Sequence, residues 1–228
     1  MARPGKSYTL WILSLILRAL FVLLIMGICT LTIWRVFFSQ RAPKELRMLS
    51  DNEILSAAYA ANNGEIRVLE QAQVPYSQAA DKQAYFNVDW CVFLTEADQL
   101  QLLLFYNNST LEHLREDLEL AELPPRGEEI FDLVVTQYIN TTPDKTGEER
   151  VIESRTVTPT SCEIGTTSLY TFCRYTFDGV DLENNVVVYL DIYYGEAESS
   201  YSTLRLYHEE SVSEWRDLTH KEKKEIER

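Results

Sequence analysis

The chain has 228 residues with 21 Lys and Arg, 35 Asp and Glu and only 8 Gly, and its charge is strongly segregated. Residues 1–48 hold seven basic residues (Arg3, Lys6, Arg18, Arg35, Arg41, Lys44, Arg47) against Glu45, so the rest carries 14 basic and 34 acidic residues, a net of −20. A segment that acidic repels phosphate backbones, which excludes nucleic acid as its expected partner and favours neutral or cationic ones. With no internal repeat, solenoids and propellers are excluded too.

Residues 1–8 form a short basic N-terminus. From Thr9 to Trp34 the chain reads TLWILSLILRALFVLLIMGICTLTIW, interrupted only by Arg18. A bilayer core needs roughly 20 apolar residues at about 1.5 Å each. The pattern therefore predicts a transmembrane helix over 9–38, with 19–38 as its contact with the lipid bilayer. Arg18 and Arg35 can extend toward headgroups, and Tyr8, Trp11 and Trp34 suit interfaces. The run is too long for the apolar region of a cleaved signal peptide, and Phe37 and Phe38 stand where cleavage needs small side chains. An uncleaved signal anchor in the cell membrane is the expectation. Positive-inside counting, with Arg3, Lys6 and Arg18 against Arg35, Arg41, Lys44 and Arg47, slightly favours a cytoplasmic C-terminal domain. Long domains translocate largely regardless of charge, however. A short basic N-terminus, a β-rich pattern and the sequons at Asn107, Asn108 and Asn140 lean toward an extracytoplasmic one.

Residues 39–49 read as a basic linker, 50–210 as one domain, and 211–228 as a charged tail, either a frayed helix or disordered. Ser50 and Glu53 match a capping box, predicting a helix over 51–62 that stops at Asn63-Gly64. Beyond it the apolar period changes to two. Phe86 to Leu94, Leu100 to Leu104, Phe131 to Ile139 and Val186 to Tyr194 alternate, and 65–72, 149–157, 168–177 and 202–208 add weaker strand signals. A second capping box at Ser109 and Glu112 predicts a short helix between strands. About eight strands predict an antiparallel β-sandwich, loosely immunoglobulin-like, with α+β as the alternative.

No motif for nucleotide, metal or nucleophilic chemistry occurs. His113, His208 and His220 lie in separate segments, and no cofactor or metal site is expected. Asp178, Asp181 and Glu183 surround a turn as hard oxygen ligands could, but acidic turns are ordinarily just solvated. Cys162 and Cys173 are the candidate disulfide pair, Cys91 is left over, and Cys29 lies in the apolar run. The remaining signal is aromatic. With Val188, Leu190, Leu204 and Leu206 inward, Tyr189, Tyr193, Arg205 and Tyr207 face outward as a candidate ligand-binding face, and Phe172 and Arg174 share the phase on a third strand. Tyr and Arg together suit a protein or glycan partner. The expected function is a non-catalytic, membrane-anchored extracytoplasmic binding or envelope-interaction domain. An accessory or regulatory subunit of a membrane complex and an unrecognised enzyme are the alternatives.

Overall fold

The computed structural model describes residues 5–39, 41–71, 86–140, 152–180, 185–195, 197–208 and 213–227. The chain divides into two compact units, Met1–Arg41 and Ala42–Arg228.

The first unit is a single helix, α1 (Gly5–Ser39). Its segment Trp11–Arg35 is 25 residues long and apolar enough to cross a membrane by length and composition. Between Trp11 and Trp34 its Leu, Ile, Val and Phe side chains are exposed, Ile33 most of all. Two hydroxyls of its second half are satisfied internally. Thr30 Oγ1 donates to the Met26 carbonyl and Thr32 Oγ1 to the Ile28 carbonyl, both at 2.8 Å, a pairing that makes no demand on water.

The second unit is mostly β, with two antiparallel sheets. Its strands are β1 (Arg67–Gln71), β2 (Asn87–Leu94), β3 (Gln99–Asn107), β4 (Phe131–Asn140), β5 (Ile152–Val157), β6 (Ser161–Thr166), β7 (Tyr170–Asp178), β8 (Asn185–Tyr194), β9 (Ser202–His208) and β10 (Ser213–Asp217). One sheet has the order β10-β1-β2-β3-β7-β6 and the other β5-β4-β8-β9. Alternate residues of both sheets meet in one core, Phe93, Leu100, Leu102, Leu104, Tyr175 and Phe177 from the first with Leu133, Val135, Val188, Leu190 and Leu204 from the second. Each fully buried Leu or Phe contributes about 1.5–3 kcal/mol by leaving water. Leu111 and Leu114 of α3 (Asn108–Asp117) join the same core.

The two sheets differ in what covers their outer faces. On the six-stranded sheet, Leu55 of α2 (Glu53–Ala61) and Ile226 of α4 (His220–Ile226) pack with Val68, Val92 and Leu94. Beside them Ala42 and Leu46 pack on Leu103 and Phe172. The run Leu102-Leu103-Leu104 is therefore buried throughout, because both faces of β3 are covered. Of the helices of this unit, α2 and α4 thus pack on the six-stranded sheet and α3 joins the core between the sheets.

Of the segment 39–49, expected as a linker, residues 42–49 belong to the second unit. A 3-10 turn, Lys44–Arg47, lies over β6 and β7. Gly165 makes this approach possible, since a Cβ there would meet Pro43 Cγ at 2.7 Å and Leu46 Cδ1 at 2.9 Å. Arg174 donates to the carbonyls of Glu45 at 3.0 Å and Met48 at 2.5 Å, and to Glu163 at 2.6 Å. Ser50 is held by the same surface, its N–H donating to Gln101 Oε1 at 2.7 Å and its hydroxyl to Glu163 Oε1 at 3.0 Å. Ser50 is thus unavailable as a helix cap, and Asn52 caps α2 instead, accepting from Leu55 N at 2.9 Å. Likewise Asn107 rather than Ser109 caps α3, accepting from Thr110 N at 2.9 Å.

The expected charged tail is ordered over its described residues. β10 pairs with β1 along its length, Arg67 opposite Asp217 and Leu69 opposite Trp215. α4 opens on a complete capping box between Thr219 and Glu222. Arg216 reaches Glu222 at 2.9 and 3.0 Å and Glu70 at 2.5 Å. Burial opposes the charge on Glu222, but the bonds from Arg216 and Thr219 outweigh it and hold the carboxyl below its usual range. Glu163, bonded to Arg174 and Ser50, and Glu96, bonded to Arg67 and Thr95, are depressed by the same balance against burial.

A carboxylate depressed in the folded state adds stability that is fully present above its unfolded value, about 4.3 for Glu, and lost as pH falls through the folded one. The melting temperature is therefore expected to fall as pH is lowered from about 5 to about 3. Glu222→Gln should flatten part of that fall and lower stability at neutral pH by about 1–2 kcal/mol. Thermal melts across this range check it, and a wild-type melting temperature that does not change would refute it.

Candidate functional site

The alternation that buries Phe131, Leu133, Val135 and Gln137 of β4 turns Asp132, Val134, Thr136 and Tyr138 the other way. On β8, Val188, Leu190 and Ile192 are buried, so Val187, Tyr189, Asp191 and Tyr193 share the outer face. Register then assembles rows across this sheet. Thr136 pairs with Tyr189 and Tyr189 with Arg205, Val134 with Asp191 and Asp191 with Thr203, Asp132 with Tyr193, and Tyr138 with Val187.

These rows form a cleft of about 500 Å³, lined by Thr136 and Tyr138 of β4, Ile152 of β5, Val187, Tyr189 and Asp191 of β8, and Thr203 of β9. That volume lies within the range of small-ligand sites. The rings of Tyr138 and Tyr189 are 5.9 Å apart and nearly perpendicular, at 88°. Asp191 is fixed from two sides. Thr136 Oγ1 donates to its Oδ2 at 3.0 Å and Thr203 Oγ1 to its Oδ1 at 2.6 Å. Two donors leave part of a carboxylate's accepting capacity open.

Of the residues expected on the aromatic face, Tyr189, Tyr193 and Arg205 share the outer side of this sheet, and of these Tyr189 is the one among the described cleft residues. Tyr207 is placed otherwise. β9 pairs Val188 with Tyr207 but Tyr189 with Arg205, so Leu206 is an extra residue in the ladder. The bulge changes the phase, and Tyr207 packs against the core with its ring 6.0 Å from that of Phe93. Phe172 and Arg174 belong to the other sheet, where the 42–50 segment covers them. Thr136, Tyr138 and Asp191 carry no motif that marks them in the sequence. The alternation of β4 placed Thr136 and Tyr138 outward, but only the β4–β8 register sets them beside Tyr189.

All four cysteines are free. Cys162 stands opposite Tyr175 and Cys173 opposite Ile164, so the candidate disulfide pair is diagonal on neighbouring strands. The Cys173 thiol is pushed far up by its hydrogen bond with Cys162 and by burial, and burial pushes up that of Cys91. Both are poor nucleophiles there. His113 is on α3, His208 ends β9 and His220 opens α4, three separate elements. Among the described residues no group of three His, Cys, Asp or Glu is placed to hold a metal ion. Asp178 accepts from Gln99 Nε2 at 2.7 Å, while Asp181 and Glu183 lie outside the described residues. A second cleft of about 430 Å³ contains Glu65, Arg67, Glu96, Asp217 and Lys223, but Arg67 and Glu96 already pair across it at 2.9 Å. No protein-family model, curated protein or solved structure matches the chain.

Proposed function

We propose that this chain is a non-catalytic binding protein of the cell membrane. α1 is its uncleaved anchor, the β domain is extracytoplasmic, and the outer face of the four-stranded sheet receives the ligand. The observation that carries the reading is the difference between the two outer faces. The six-stranded sheet is covered by α2, α4 and residues 42–50. The four-stranded sheet instead carries a cleft with two tyrosines and an oriented carboxylate. Aromatic anchors flanked by a few fixed polar groups suit recognition by apolar contact and hydrogen bonding together. The two sheets are the layers of an antiparallel sandwich in this reading, supported by their shared core. It is immunoglobulin-like only loosely, since six and four strands replace the usual four and three.

The test is a glycan and peptide array probed with the full chain in detergent, beside a Tyr138→Ala/Tyr189→Ala variant. Losing one anchor of a genuine recognition site costs more than about 1 kcal/mol of binding. Losing the edge-to-face pair costs about 0.5–1.5 kcal/mol of stability beyond the area that these partly exposed rings bury. Ligands bound by the wild type should therefore be lost by a variant that still folds. Ligands retained by the folded variant would place recognition elsewhere.

A further inference from the structure

Resting on that binding reading, we propose that the cleft takes a cationic side chain, a lysine or arginine presented by a partner protein, with Asp191 as its counter-ion. Among the described lining residues Asp191 is the one charged group. Its oxygens are bonded to two neutral hydroxyls, those of Thr136 and Thr203. The carboxylate is therefore oriented without being neutralised. The basic residue on the same face, Arg205, stands opposite Tyr189 on β9 and makes no ion pair with Asp191 among the described residues.

The walls fit the same occupant. Tyr138 and Tyr189 meet edge to face and both line the cleft, and ammonium and guanidinium groups are attracted to the face of such a ring within about 6 Å of its centre. Ile152 and Val187 supply apolar surface for the methylene stem of such a side chain, as long basic residues require. The net charge of −20 on residues 49–228 draws cations toward the domain and repels anionic alternatives. A neutral glycan would use the hydroxyls and rings but would gain nothing from an uncompensated carboxylate.

The experiment follows the methyl signals of Thr136, Ile152 and Thr203 by NMR, in the full chain in detergent micelles. The probes are N-acetyl-lysine amide, N-acetyl-arginine amide, the uncharged N-acetyl-norleucine amide and maltotriose. The two cationic probes are expected to shift these methyls saturably, and norleucine at least about tenfold more weakly, as the loss of a charge-assisted bond implies. Asp191→Asn should weaken the lysine probe to the norleucine level. Raising salt on the unaltered protein from about 0.01 to about 1 M should weaken it too, because screening shortens to about 3 Å. The salt arm needs no substitution to fold. Equal affinity for lysine and norleucine, or lysine binding insensitive to both Asp191→Asn and salt, overturns the cationic assignment. Shifts from maltotriose alone overturn it while leaving the binding face intact. Methyls unmoved by every probe overturn both.

Discussion

Leu102→Ala is expected to destabilise the β domain by about 2–5 kcal/mol, a large fraction of the roughly 5–15 kcal/mol that stabilises an ordinary domain. Leu102 is fully buried at the centre of β3, flanked by Cys91 on β2 and Tyr175 on β7. Its side chain belongs to the core that the four-stranded sheet shares. Truncation removes its transfer free energy and leaves a cavity between two layers that hydrogen-bonded strands keep from collapsing. Denaturant unfolding measures the change, and a loss below about 1 kcal/mol would show that the two sheets do not share a close-packed interior.

Arg174→Met is expected to release residues 42–50 from the domain surface, with a stability loss of about 2–4 kcal/mol. Arg174 is buried, and its guanidinium bonds two backbone carbonyls as well as Glu163. Methionine fills a similar volume but leaves the carbonyls of Glu45 and Met48 without this donor. The loss belongs near the lower end because Glu163 is 44% exposed, so water recovers part of its solvation. Trypsin gives a local readout that global melting does not. Lys44 and Arg47 lie in the 3-10 turn, and Arg47 Nε donates to the Ala42 carbonyl at 2.6 Å. Cleavage at these sites should be slow in the wild type and fast in the variant. Equal rates would mean that the arginine does not hold the segment.

Some of this architecture is legible in the sequence. The apolar run gives a helix, and alternation gives β2, β3, β4 and β8, because those strands combine one strongly apolar face with clear turn residues. β6 (SCEIGT) and β10 (SEWRD) escape that reading, being short, polar edge strands whose evidence is a partner, β7 or β1, distant in sequence. The Gln residues of β3 mislead for another reason. Gln99 and Gln101 alternate with leucines as a solvent face would, yet both are fully buried beneath residues 50–52. There Gln101 Nε2 donates to the Ser50 carbonyl at 2.9 Å and Asn52 Nδ2 to Gln99 Oε1 at 3.2 Å. Polar cover over a polar stripe leaves no hydrophobic trace.

Of the described cleft residues, Tyr189 is the one the sequence marks as a site residue. Tyr189, Tyr193 and Arg205 follow from period two, which holds on each strand up to the bulge at Leu206 and fails beyond it for Tyr207. Phe172 and Arg174 share the outward phase of β8 and β9, but phase alone does not say to which of two sheets a strand belongs. Asp191 follows Tyr189 by two on β8 and shares its face by period alone, whereas Thr136 and Tyr138 become neighbours of Tyr189 only through the β4–β8 register, which joins residues about 50 apart in the chain. Function was the least legible, since recognition by a sheet face leaves no motif.

An anchored, extracytoplasmic binding domain is tested most directly by labelling a Glu198→Cys variant on intact cells with a membrane-impermeant maleimide, followed by mass analysis of the full chain and of the peptide carrying residue 198. Glu198 is exposed, so the new thiol is accessible wherever the domain lies. The expected result is a labelled residue 198 in a membrane-bound chain that retains residues 5–39, without permeabilisation. Labelling only after permeabilisation would place the domain in the cytoplasm, and a labelled chain beginning near Arg41 would show that the helix is removed rather than kept as an anchor.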